Sequence, residues 1–195
     1  IGAVGTTAAI SALAPRTAAT QERPNVIFIL ADDLGYGDLS CYGRPDYDTP
    51  ALDSLAEQGL KFTSNYSAAP VCTPTRCAFI TGRYPQRLPV GLEEPLGRAS
   101  PEVGIPNGHA TIATQMRAAG YATALIGKWH LGWKPEFNPV RHGFDEFFGA
   151  LSGALDYFTH VAPDAGGEPV SDLWENEQRV DRDGYLTDLF TDRAI

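Results

Sequence analysis

The chain has 195 residues, 43% of them hydrophobic and 20% charged, which suits one folded domain or two small ones with a buried core. Its formal net charge of -9 excludes nucleic acid as the main partner, because phosphate binding needs a basic surface, although a few focused cations can still hold a small anion. Three cysteines exclude a disulfide scaffold and leave the redox compartment open.

Residues 1–23 are rich in Ala and Thr, with an apolar stretch between Ala3 and Ala14. They read either as the tail of a signal peptide or as a flexible, low-complexity N-terminus. A leader would place the mature protein outside the cytoplasm, periplasmic or secreted. The start at Ile1 points to an incomplete beginning. No later stretch is long and apolar enough to span a membrane as a helix.

Val26, Ile27, Phe28, Ile29 and Leu30 form a continuous apolar run, which predicts a strand over 25–31 buried on both faces. Thr49-Pro50 and Gly59 bracket a helix with Leu52, Leu55 and Ala56 on one side. A short strand is expected over 61–64. A second helix runs from Pro74 to Thr81 and stops at Gly82. The Pro- and Gly-rich stretch 84–108 reads as a long surface loop. A third helix is predicted over 111–119, with Ile112, Met116 and Ala119 aligned, followed by a buried strand over 121–127. Strands alternating with helices imply a mainly parallel sheet. Further on, Phe144, Phe147 and Phe148 are assigned to the core and 164–168 to a turn. A helix begins near Gly184, with Leu186, Leu189 and Phe190 on one side, and meets no stop signal before Ile195, so the end is expected to be incomplete too.

Chemistry concentrates at three places, each just past a predicted buried element. Asp32 and Asp33 follow the first strand, where open α/β sheets collect their ligands. Adjacent carboxylates repel unless a cation sits between them, and calcium or magnesium suits oxygen donors; the alternative is a solvated turn. Cys72 stands before a helix N-terminus, as a lowered-pKa thiolate or as a small buried apolar residue, and spacing does not choose between them. Anionic groups are favoured at that helix end. Lys128 and His130, two apart at the exit of the second strand, would share a face with Trp129 on the other, pairing an anion-binding ammonium with a proton-transferring imidazole.

These segments resemble a known family. Cys72-Thr73-Pro74-Thr75-Arg76, continuing to Thr81-Gly82-Arg83, is similar to the sulfatase signature C-x-P-x-R with its T-G-R end. Residues 24–38 resemble the family's opening strand and metal loop, 127–132 its lysine–histidine segment, and 142–149 a further typical stretch. The resemblance covers residues 24–195, which it identifies as the N-terminal part of a sulfatase catalytic domain. It implies an alkaline phosphatase-like three-layer α/β sandwich and the formylglycine-dependent arylsulfatase type of chemistry.

By this resemblance, a maturation enzyme oxidises Cys72 to formylglycine; one hydroxyl of its hydrate attacks the sulfur of a sulfate ester and expels the alcohol, and the other then loses its proton as sulfate is eliminated and the aldehyde returns. Asp32, Asp33 and the group made from Cys72 would hold a divalent cation, calcium rather than magnesium. Arg76 would hold the formylglycine, Lys128 would contact the sulfate, and His130 would assist elimination. Such a group is activated as a nucleophile by the metal, and charge developing on sulfate oxygens is met by cations. The family places further metal and sulfate ligands later in its chains, so a chain without them is expected to turn over poorly alone. The substrate would be a small sulfate ester or a sulfated carbohydrate. Rival readings are a phosphate or phosphonate ester hydrolase of the same superfamily and a non-catalytic module that keeps only the fold. No glycine-rich loop follows the first strand, which disfavours a dinucleotide-binding domain.

Overall fold

The computed structural model describes residues 23–97, 100–162 and 171–195. The leader reading of 1–23 therefore falls almost wholly outside the described residues, as does the turn expected over 164–168.

Four α-helices, six short 3-10 helices and a four-stranded sheet make up the regular structure among the described residues. Helix α1 spans Pro50–Gln58, α2 Cys72–Thr81, α3 Ile112–Ala118 and α4 Leu186–Ala194. Strands β1 (Ala124–Lys128), β2 (Glu146–Ala150), β3 (Leu173–Glu175) and β4 (Gln178–Arg179) lie side by side in that order. β1 and β2 run parallel, while β2–β3 and β3–β4 are antiparallel, so the sheet is mixed rather than mainly parallel. Between β3 and β4 lie only Asn176 and Glu177, and a two-residue turn can join only antiparallel strands, whereas β2 and β3 are joined by a much longer connection.

Alternation along β1 and β2 builds the layers. Leu125 and Phe147 face a cluster formed with Cys77 and Ile80 of α2 and Ala113 of α3. Ile126 and Phe148 face the opposite way, against Leu186, Leu189 and Phe190 of α4. Helices thus cover both faces of the sheet, and full burial of a side chain such as Phe147 contributes about 1.5–3 kcal/mol. The expected core positions Phe144, Phe147 and Phe148 are all buried. Backbones of β1 and β2 cross closely at Gly127 and Gly149, where a Cβ on Gly149 would lie 1.8 Å from the Gly127 carbonyl oxygen.

Three expectations fail. Residues 26–30 form no strand and are 40–86% exposed. The apolar run is suited to burial, yet no described strand hydrogen-bonds to it; Phe28 alone finds a ring, stacking on Phe79 of α2 at 3.9 Å. Residues 61–64 likewise form no strand, and the Leu52–Leu55 side of α1 faces solvent. The stretch 84–108 is irregular as expected but not superficial, since Leu88, Val90, Leu96 and Ile105 are buried in the main cluster. Pro and Gly report on backbone regularity, whereas burial follows the apolar residues between them. Helix α2 also begins two residues earlier than Pro74, and α3 turns Ala113 to the core while Ile112 is exposed.

Candidate active site

The N-terminus of α2 and the C-terminal end of β1 meet beside residues 32–33. Val71 has extended backbone and its carbonyl accepts from Thr75 N–H at 3.1 Å, so Cys72 is the first residue of the helix. Pro74 at the third position costs no helical hydrogen bond, because the first N–H groups have no intrahelical partner. Cys72 is free and half-buried. With Asp32, Asp33 and Arg76 it lines an open cleft of about 560 Å³.

Arg76, one turn along α2, fixes the geometry. Its Nη1 donates to the Lys128 carbonyl at 2.6 Å and its Nη2 to Asp32 Oδ2 at 2.9 Å. The Lys128 ammonium reaches the same Asp32 oxygen at 2.7 Å. Burial favours the neutral acid at Asp32, but the Lys128 and Arg76 charges together hold its carboxyl below the usual range. The repulsion expected between adjacent carboxylates is therefore relieved at Asp32 by two side-chain cations. Asp33 is exposed, with left-handed backbone at φ +56°.

His130 departs from the expected alternation. β1 ends at Lys128 and His130 has φ +57°, so the two-residue repeat of extended backbone does not extend to it. Only 3% of its surface is exposed, and the ring meets the Leu96 carbonyl through Nε2 at 2.8 Å. Burial first, then the Lys128 and Arg76 charges, push the imidazole down to about 4, against the opposing effects of Leu96 and Asp32. It is a neutral base at neutral pH, electrostatically coupled to the Asp32–Arg76–Lys128 group. Trp129 is buried against His142 and Phe144 and donates from Nε1 to the Phe137 carbonyl at 2.8 Å.

Asp32, Asp33, Cys72 and Arg76 thus share one cleft, Lys128 joins them through Asp32, and His130 sits behind them. Thr73 and Leu96, which contact His130, were not singled out by the sequence. A threonine inside a signature and a leucine in a Pro-rich loop carry no pattern that announces such a role.

The oxygen donors Asp32 and Asp33 suit a hard cation in kind, but calcium takes about six to eight oxygens. No group of three or more His, Cys, Asp or Glu side chains that could hold a metal gathers among the described residues. These residues therefore fit as part of a coordination shell.

The Sulfatase family model matches residues 24–195. Arylsulfatase J of Mus musculus is 40% identical over 182 residues, covering 91% of this chain and 30% of that protein. Among solved structures, Ps i-CgsB superposes with a TM-score of 0.76 at 35% identity, over 89% of this chain and 42% of that one. Another, solved with its substrate D-glucosamine-2-N,6-O-disulfate, gives a TM-score of 0.67 at 31% identity, over 89% of this chain and 30% of that one. The chain spans about a third of the length of the curated relatives it matches. The shared backbone is the alkaline phosphatase-like fold, of which the mixed sheet and its flanking helices form a part. A family match from residue 24 onward and a common backbone at this level of identity agree: the chain belongs to the sulfatase family.

Proposed function

We propose that the site built by this chain serves sulfate ester hydrolysis, with Cys72 as the position converted to formylglycine. The carrying observation is the meeting of Arg76 and Lys128 on one anionic oxygen, at 2.9 and 2.7 Å, in the cleft that Cys72 lines. A sulfate ester presents oxygens of the same kind, and two fixed cations beside a helix N-terminus meet the charge that builds on them.

The hydrate of formylglycine would supply the hydroxyl nucleophile, and a divalent cation, calcium before magnesium, would supply Lewis acidity. Asp32, Asp33 and the group formed from Cys72 would hold that cation. Lys128 binds the sulfate as an ammonium, Arg76 orients the formylglycine side chain, and the neutral His130 moves a proton at its ring. Support for a sulfated carbohydrate as substrate comes from the neighbour solved with a glucosamine disulfate. The C-x-P-x-R segment is the feature a maturation enzyme would read, and an extracytoplasmic location accords with the leader reading. No helix of the described residues is long and apolar enough to cross a membrane.

Mass analysis of the Cys72 peptide from the native host tests the central step. Formylglycine supports the reading, and an unmodified thiol would overturn it in favour of a non-catalytic module. Comparing the native protein on an aryl sulfate and an aryl phosphate then decides the ester class, since the same cations serve either. The isolated chain, with its partial donor set, is expected to show little turnover, and robust hydrolysis by it would contradict that donor count.

A further inference from the structure

His130 is held by a closed circuit of hydrogen bonds that ties it to the first turn of α2. The Thr73 hydroxyl, fully buried one residue after Cys72, donates to the His130 carbonyl at 3.3 Å. The same oxygen accepts from the Leu96 N–H at 3.0 Å. The Leu96 carbonyl in turn faces His130 Nε2 at 2.8 Å. A peptide carbonyl only accepts, so Nε2 is the donor and carries the proton of the neutral ring. Nδ1 then holds the lone pair, buried and without a hydrogen-bond partner among the described residues.

Two further features make the arrangement specific. The left-handed backbone of His130 is costly for a residue with a Cβ, and the Thr73 contact to its carbonyl helps hold it there. Gly153 backs the ring so closely that a Cβ there would lie 2.5 Å from Cε1. Only glycine at 153 leaves space for the imidazole in this position.

We infer that Thr73 is a positioning residue: through the Leu96 peptide its hydroxyl locks His130 with the proton on Nε2, which leaves Nδ1 as the ring atom that takes a proton in the site. This rests on the sulfate-ester reading for its purpose and assigns the working atom within it. Because Thr73 and Cys72 are consecutive in α2, the clamp also ties the imidazole's position to that of the nucleophile. Valine matches threonine in shape but would leave the Leu96 N–H and the His130 carbonyl unpaired, whereas serine keeps the hydroxyl.

Long-range proton–nitrogen NMR correlations separate the two neutral tautomers directly, and four histidines make His130 assignable through His130→Gln. At neutral pH the wild-type chain is expected to show His130 as the Nε2–H tautomer alone, its ring proton slow to exchange. Thr73→Val is expected to mix the tautomers or speed that exchange about tenfold, and Thr73→Ser to restore the wild-type pattern. An Nδ1–H tautomer in the wild type, or an unchanged pattern in Thr73→Val, overturns the inference. Should Thr73→Val not fold, Thr73→Ala decides: mixed tautomers or faster exchange support the clamp, and an unchanged pattern overturns it. Aryl sulfate turnover by the native protein is read separately. An intact Nε2–H pattern without turnover supports the clamp and counts against the hydrolase reading alone.

Discussion

Arg76 and His142 show how much single side chains decide here. Arg76 is mostly buried and spans two acceptors, the Lys128 carbonyl and Asp32, which only a guanidinium fork can reach together. Arg76→Lys is expected to lose the carbonyl bond and lower stability by about 1–3 kcal/mol, measured by urea unfolding. His142 stacks on Trp129 in the core, and burial pushes its imidazole from 6.5 down to about 4, outweighing a favourable backbone contact at Glu136. The folded state thus binds fewer protons than the unfolded state between those values. Its contribution is complete above pH 6.5 and is lost as the pH falls toward 4, up to about 3 kcal/mol, with His130 acting in the same direction. Urea melts across that range should show stability falling with acid, and His142→Gln should flatten the slope. Asp32, Asp33, Lys128 and His130 were legible as candidates from residue type and position, whereas Arg76 and the choice of role for Cys72 came only through the resemblance of the surrounding segment. The tautomer of His130 was not legible, since it is set by a carbonyl that any residue could supply.

Helices α1, α2, α3 and α4 were each foreseen within about two residues, because caps, prolines and apolar spacing act locally. Strands fared differently. β1 was anticipated from its apolar run, whereas the 25–31 run of the same character forms no strand. A strand exists only through hydrogen bonds to a neighbour that the segment does not encode. The β1–β2 pair depends on a close backbone approach at Gly149. Gly149→Ala is expected to cost about 1–3 kcal/mol or more by overpacking. Gly37→Ala, with no atom within 4 Å of the added carbon, should stay within about 0.5 kcal/mol in the same assay.

Taken as a body, the chain buries two clusters on opposite sides of one sheet and leaves the apolar 26–30 segment in solvent. Ile27 and Ile29, 86% and 77% exposed, are the clearest test. Ile27→Lys should alter the stability of this chain by no more than about 0.5 kcal/mol, where a buried strand residue would cost several. It should also reduce self-association in sedimentation, since contiguous exposed apolar surface drives contact between copies.

Residue identity and short-range spacing were enough to read the α/β character, the helix positions, the three chemical segments and their likeness to sulfatases. Those features depend on chemistry and periodicity carried within a few residues of one another. Folding decided the mixed sheet, the burial of 84–108, the sharing of Asp32 between Arg76 and Lys128, and the Thr73–Leu96–His130 circuit. The hydrogen bonds of the Asp32–Arg76 pair and of the circuit join groups 23 to 57 positions apart, and Lys128 lies further still from Asp32, so distance along the chain conceals them.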